Sequence, residues 1–234
     1  MKPLLSIVIP CYNEKSTILK IIKKINKVKI NKEIIIIDDG SEDGTQNILK
    51  KINKKKNNIN KIILKKKNCG KGSAIQKGQK FINGKYVIIQ DADLEYNPND
   101  YKKIIKKFKS DRKIKSVYGS RVLKGAKRKR PKKILFLFTI FANKILTLIT
   151  NLLYNQKLTD AHTCYKSFES KIFKKIKIQS KGFEFCPEIT AKISNMKIKI
   201  YEVPINYFAR TYSEGKKISL IDGFLAIKTL FKYL

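Results

Sequence analysis

Acidic residues are scarce in this chain. Across 234 residues, 18 Asp and Glu stand against 53 Lys and Arg, a formal charge of +35. The chain also has one histidine, no tryptophan, four cysteines and five arginines. Cys11, Cys69, Cys164 and Cys186 are too few and too widely spaced for a disulfide scaffold. One histidine without a paired cysteine excludes a structural zinc site. So few arginines argue against a protein built for bidentate readout of phosphate or guanine. The first apolar stretch, 4–9, is short and runs into Pro10, so no cleaved signal peptide is expected. Intrinsic disorder is excluded as well, because the 42% of hydrophobic residues fall in Ile- and Val-rich runs of strand or helix length.

Lysine is spread through nearly every segment together with Ile and Asn, the signature of a compositional bias more than of a nucleic-acid surface. The few acids are more informative. Glu14, Asp38, Asp39, Glu42, Asp43, Asp91, Asp93 and Glu95 fall in three short segments. Carboxylates gathered together in a chain otherwise short of them call for a cation.

Hydropathy patterning gives strands at 4–10, 33–37, 61–64, 85–90 and 115–118, alternating with helices at 14–27, 45–52, 72–82 and from Pro98 onward. The first helix is expected to turn Ile18, Leu19, Ile22 and Ile25 inward. This alternation predicts an α/β fold, a Rossmann-like, mostly parallel sheet with helices on both faces. In such sheets ligands bind beyond the carboxyl ends of the strands. All three acidic segments follow strands, so the topology gathers them at one rim.

Beyond residue 120 the pattern changes. Residues 127–133 (KRKRPKK) are basic, and 134–154 reads as a helix with one narrow polar stripe, including Thr147, Thr150 and Tyr154, on an otherwise apolar surface. Lys144 in its middle argues against a membrane span and for an interfacial or partly buried helix. Another strand is expected at 198–203, and 220–234 forms a second amphipathic helix.

Asp91-Ala92-Asp93, with Glu95 two residues on, is the sharpest motif, since carboxylates so spaced at a strand end suit a hard divalent cation such as Mg2+ or Mn2+. Asp38-Asp39-Gly40-Ser41 carries one acid more than a turn requires. Gly70-Lys71-Gly72-Ser73 lacks the spacing of a nucleotide phosphate loop, and its glycines are expected to permit close backbone approach at a helix start.

Ile9-Pro10-Cys11-Tyr12-Asn13-Glu14, Ile36-Ile37-Asp38-Asp39-Gly40-Ser41, Asn68-Cys69-Gly70-Lys71-Gly72 and Asp91-Ala92-Asp93-Leu94-Glu95 together resemble the signature series of the family 2 inverting glycosyltransferases with the GT-A fold. Tyr118-Gly119-Ser120-Arg121, Leu158-Thr159-Asp160, Glu202-Val203-Pro204 and the segment from Arg210 to Lys216 are similar to the dolichyl- and polyprenyl-phosphate sugar synthases within that family. The resemblance implies that Pro10, Tyr12, Glu14, Ile37, Asp39, Asp91 and Ala92 hold the nucleotide. It implies Asp93 and Glu95 as ligands of Mg2+ or Mn2+, and Arg121, Arg210 and Lys216 as holders of donor and acceptor phosphates. Asp91, Asp93, Asp160 and Arg210 are the catalytic candidates. An ionised lipid phosphate needs no strong base; a hydroxyl acceptor does, and Asp160 is the best placed. A turn cap is the competing reading of Asp160, and His162 reads as structural.

The expected activity is transfer of a sugar from GDP-mannose or a UDP-hexose to a polyprenyl phosphate at the cytoplasmic membrane face. The alternative is glycosylation of a saccharide hydroxyl in cell-surface polysaccharide synthesis. Residues 1–126 are expected to form the nucleotide-sugar core and 127–234 the acceptor-binding, membrane-surface part of the same catalytic domain. The anticipated partners are an anionic membrane surface and a membrane-anchoring subunit, and no nucleic acid. A non-catalytic binding module would instead tolerate loss of Asp93 and release its ligand with salt.

Overall fold

The computed structural model describes residues 2–52, 54–55, 57–129, 134–210 and 220–234. Part of the basic run 127–133 and all of 211–219, with Tyr212 and Lys216, lie outside the described residues.

The chain forms β1 (Leu5–Cys11), α1 (Ile18–Lys27), β2 (Lys32–Asp38), α2 (Thr45–Lys51), β3 (Ile59–Leu64), α3 (Lys71–Gln79) and β4 (Tyr86–Ile89). A short 3-10 turn, Pro98–Asp100, leads into α4 (Tyr101–Ser110) and β5 (Ser116–Ser120). Then follow β6 (Lys127–Lys129), α5 (Ile134–Tyr154), β7 (Lys166–Glu169), α6 (Ser170–Lys175), α7 (Phe185–Asn195), β8 (Ile200–Pro204), β9 (Asn206–Phe208) and α8 (Leu220–Lys232).

Seven strands make one sheet in the order β3-β2-β1-β4-β7-β5-β8. The strands β3, β2, β1 and β4 run parallel to one another, as do β5 and β8, and β7 is antiparallel to both neighbours. Its central strands are covered on both faces, which is why they read as unbroken apolar runs. Alternate residues serve opposite cores: Ile7, Ile9, Ile34 and Ile36 pack toward α1 and α4, whereas Val8, Ile35, Ile37 and Val87 pack toward α3, α6 and α7. In α1 the buried residues are Ile18, Ile21, Ile22 and Ile25; Leu19 points out, and the helix begins at Ile18 instead of residue 14 because 14–17 form a turn closed by bonds from Thr17 and Ile18 amides to the Glu14 carbonyl.

Among the elements without a strong sequence signal are β7, α6 and α7. β7 (KSFE) starts on a lysine and ends on a glutamate, yet lies in the middle of the sheet. Lys166 is fully buried there; its Nζ donates to the Ala161 carbonyl at 2.7 Å and Thr190 Oγ1 at 3.2 Å and lies 3.8 Å over the Tyr118 ring. Because β7 runs against its neighbours, it starts at the rim where β4 and β5 end. The loop from Asp160 to Cys164 therefore meets the acidic segments. The short helices α6 and α7 fill the core beneath it.

Helix α5 is partly buried, and the structure decides which of its sides faces the protein. Its polar stripe faces inward: Thr147, Thr150 and Tyr154 are buried, Thr147 Oγ1 accepts from the Ala161 amide, and Tyr154 donates to the Leu230 carbonyl of α8. The outward residues are apolar, namely Phe141, Ile145, Leu148 and Leu152. Among the described residues no helix is long and apolar enough to cross a membrane.

Candidate active site

β1 and β2 end side by side, with Cys11 opposite Asp38. The chain then turns sharply at both. Asn13 takes φ 50° and Gly40 φ 79°, and the two loops interlock: the Asn13 amide donates to Ser41 Oγ at 2.8 Å and the Glu42 amide to Asn13 Oδ1 at 2.9 Å. The two adjacent aspartates divide the work. Asp38 holds the turn through the Gly40 and Ser41 amides and Gln46. Asp39 faces the cavity, where it ion-pairs with Lys65 and accepts from the Cys69 and Gly70 amides at 3.1 and 2.6 Å.

The start of α3 closes another wall. The Gly72 and Ser73 amides, which would be free at a phosphate-binding helix end, donate instead to the Gly182 and Lys181 carbonyls. A Cβ on Gly72 would sit 2.2 Å from the Ser180 carbonyl oxygen. The glycines thus allow backbone to lie against backbone. Gly72→Ala is expected to destabilise the fold by about 1–3 kcal/mol, read as a lower denaturation midpoint with unchanged slope.

β4 delivers Gln90, whose side-chain carbonyl accepts from Tyr101 at 2.6 Å and Tyr165 at 2.8 Å. Asp91 follows and pairs with Lys71. Leu94 adopts φ 68°, a conformation uncommon for a residue with a Cβ, and the Glu95 amide donates to Asp93 Oδ1 at 3.1 Å. Phe208 in β9 donates its amide to the Glu95 carbonyl and Tyr207 bridges Tyr96, so β9 hangs from the acidic loop.

That attachment brings Arg210 among the carboxylates. Its guanidinium lies 3.1 Å from Asp93 Oδ2 and 3.3 Å from Glu14 Oε1, while its amide donates to Glu95 Oε1 at 2.7 Å. Glu95 Oε2 also accepts from Tyr207 at 2.8 Å. Burial, with Asp91 and Glu95 nearby and Arg210 opposing them, pushes the Asp93 carboxyl up to about 8. The same carboxylates hold Arg210 protonated beyond its ordinary range, against the effect of burial. The cluster selects positive charge. Among the described residues no three His, Cys, Asp or Glu converge into a metal-holding group; the arginine stands between them. The donor set is nonetheless all oxygen, two of its members lie two residues apart, and both suit a hard divalent ion completed by ligand oxygens.

These groups enclose a cavity of about 370 Å3. Pro10, Tyr12, Glu14, Asp39, Asp91, Ala92, Asp93, Glu95 and Arg210 all line it. Ile37 does not: its side chain is buried on the α3 face of the sheet, as strand alternation dictates. Arg121 and Asp160 do not line it either. Asp160 accepts from Arg121 Nε and Nη2, each at 2.7 Å, and from its amide, and Arg121 lies over the Tyr207 ring. Burial alone would raise the Asp160 carboxyl, but Arg121 holds it below the usual range, which makes it a weak base. The His162 ring is held neutral by burial and Lys166, its pKa lowered to about 3.

Sequence reading passed over Lys65, Lys71, Cys164 and Phe183, which the structure places in or against the site. Lys65 is one lysine in a lysine-rich chain with no local signal, whereas Lys71 lies in the glycine-rich motif and was assigned no contact of its own there.

A parallel α/β sheet with a carboxylate-rimmed cavity at its strand ends, and an Asp-Ala-Asp loop opposite an Asp-Asp turn, defines a GT-A glycosyltransferase. The chain belongs to glycosyl transferase family 2, whose model matches residues 6–177. It is 30% identical over 94% of its length to the UDP-N-acetylglucosamine–dolichyl-phosphate N-acetylglucosaminyltransferase of Methanococcus voltae, covering 92% of that protein. It is 27% identical over 98% of its length to the dolichol-phosphate mannosyltransferase of Pyrococcus furiosus, of which it covers 61%. The fold also matches glucosyl-3-phosphoglycerate synthase from Mycobacterium tuberculosis, solved with Mn2+, UDP and product, at a TM-score of 0.72, 16% identity and coverage of 99% of this chain and 80% of that one.

Proposed function

We propose that this enzyme transfers a sugar from a nucleotide sugar, GDP-mannose or a UDP-hexose, to a polyprenyl phosphate at a membrane surface. The observation that carries the reading is the cavity at the strand ends, in which Asp39 and Tyr12 flank a nucleoside-sized space and Asp91, Asp93 and Glu95 meet Arg210. Pro10, Tyr12, Glu14, Asp39, Asp91 and Ala92 hold the nucleotide in this reading. Asp93 and Glu95 hold Mg2+ or Mn2+, which when bound supplies positive charge to the departing nucleoside diphosphate.

Arg210 neutralises the acceptor phosphate and aligns it on the anomeric carbon. An acceptor already ionised needs orientation and desolvation more than a base. The alternative, a saccharide hydroxyl, needs a base, and Asp160, the residue best placed by sequence, is committed to Arg121. The test is a donor screen with purified protein, Mg2+ or Mn2+, and polyprenyl phosphate in detergent. Labelled sugar is expected in the organic phase as an acid-labile lipid; label confined to aqueous oligosaccharide would sink the lipid reading.

The membrane part rests on the helices. Among the described residues, nine of the thirteen exposed large hydrophobics sit on α5, on α8 or at the chain end beside it, including Leu152 at 74% and Phe224 at 75% exposure. Exposed apolar side chains on two adjoining helices of a strongly cationic protein fit an anionic bilayer surface. Leu152→Glu with Phe224→Glu is expected to abolish co-sedimentation with vesicles containing anionic lipid. The melting temperature should hold, since both side chains are in solvent.

A further inference from the structure

A second cavity, of about 570 Å3, shares α3 as a wall with the cavity at the strand ends. Gly70, Lys71 and Ala74 line the first, whereas Ser73, Gln76, Lys77 and Gln79 line the second, together with the chain from the end of α6 to Ile178. Six of its eleven lining residues are lysine (Lys65, Lys77, Lys80, Lys174, Lys175 and Lys177), and none is acidic. Lys and Arg together are 53 of 234 residues overall, so the bias of the chain does not by itself produce a lysine majority.

Neutral groups fix the walls. Gln76 Nε2 donates to the Ile178 carbonyl at 2.8 Å, and Gln79 Nε2 to the Phe173 and Ile176 carbonyls at 2.5 and 2.9 Å. Backbone acceptors that would repel an anion are thus turned to side-chain amides. Lys65 is neutralised by Asp39 of the first cavity and also donates to Ser73 Oγ at 3.0 Å. Among the described residues, none of the other five lysines forms an ion pair with a carboxylate. Ammonium groups gathered round one space repel one another, and an anion of several charges replaces that repulsion with attraction. Lysine is a compact charge on a flexible stem, which suits phosphate oxygens without the planar fork that arginine imposes.

The second cavity also borders the apolar helices. Gln179, the residue after Ile178, accepts from Tyr233 Oη at 2.8 Å, just past the end of α8. Lys192 donates to the Lys177 carbonyl at 2.6 Å and lies 4.5 Å over the Tyr233 ring. A phosphorylated lipid headgroup and a free polyphosphate offer the same chemistry at this place. We infer that the cavity between α3 and residues 174–178 is a binding site for a compact multivalent phosphate, separate from the donor cavity and independent of the proposed sugar transfer.

The test compares three forms of the full chain. One is the parent, and one carries Lys80→Gln, Lys174→Gln and Lys177→Gln at the cavity. The last carries Lys20→Gln, Lys24→Gln and Lys27→Gln on α1, which packs on the opposite face of the sheet and loses the same charge. All the substituted side chains are exposed, so the melting temperatures should stay together. Binding of inorganic triphosphate without divalent metal, followed by titration calorimetry, is expected to weaken at least about tenfold in the cavity variant and less than about threefold in the α1 variant. Equal binding by all three forms would put triphosphate elsewhere, and equal loss in both variants would reduce it to general charge; either result overturns the site. Vesicles distinguish the source. Co-sedimentation that prefers phosphatidylinositol bisphosphate over phosphatidylserine of equal total charge, and loses that preference in the cavity variant alone, assigns the site to a headgroup. No such preference, with triphosphate binding still lost in the cavity variant, assigns it to a free phosphate.

Discussion

Asp93→Asn is expected to lower sugar transfer by about two to three orders of magnitude, the size of effect seen when a charge-stabilising group is lost at a reacting centre, while the fold persists. Asp93 lies where β4 has ended, beside Asp91 and Glu95, and its partner across the cavity is Arg210, which also contacts Glu14. The substitution keeps the shape and removes a carboxylate oxygen that would hold a divalent ion. Excess chelator is expected to reproduce the loss in the parent enzyme. Full transfer by Asp93→Asn, or full activity in chelator, would refute the role.

The same change alters stability with a definite sign. The Asp93 carboxyl is raised from an ordinary 3.8 to about 8 by burial and by Asp91 and Glu95, with Arg210 opposing. The folded chain therefore binds a proton that the unfolded chain releases. The stability this contributes is fully present below the unfolded value and is lost as pH rises through the folded one. In the metal-free protein, the melting temperature of Asp93→Asn should fall less than the parent's between about pH 5 and pH 8. Identical slopes for parent and variant would show that Asp93 is not the titrating group. An active site that gathers like charges costs stability that its removal returns.

Asp160→Ala is expected to destabilise the fold by about 3–5 kcal/mol, because it leaves the Arg121 guanidinium buried without its partner. The two side chains are only 9% and 4% exposed, and the pair is bidentate. Arg121→Met combined with Asp160→Leu should recover most of the loss, since an apolar pair of similar volume replaces a buried ion pair at little cost. Denaturant unfolding of the two single variants and the double variant measures this. Parent-like stability in Asp160→Ala would mean that the carboxylate is free for chemistry, and would reopen the hydroxyl-acceptor reading.

Much of this molecule was legible along the chain. The order of elements from β1 to β5 could be read because parallel strands covered on both faces need continuous Ile and Val, as in the EIIII run of β2. The acidic segments could be placed at one rim because every parallel strand ends on the same side of its sheet. β7 could not be read: a strand of four residues carrying Lys166 looks like a loop until Tyr118, Thr190 and the Ala161 carbonyl are seen to satisfy that lysine. Helix α5 could be recognised but not oriented: its threonines satisfy themselves on its own carbonyls and so can be buried, leaving the apolar side outward.

Local chemistry was therefore enough to establish the α/β class, the family motifs and the identity of the carboxylates. Tertiary structure decided their partners. Arg210 meets Glu14 across 196 residues of chain, Lys71 meets Asp91 across 20, and Arg121 meets Asp160 across 39. A carboxylate announces itself in a chain with few acids, whereas the one lysine or arginine that neutralises it is hidden among 53 cations. Which of them does so depends on distances that exist only after the sheet has closed.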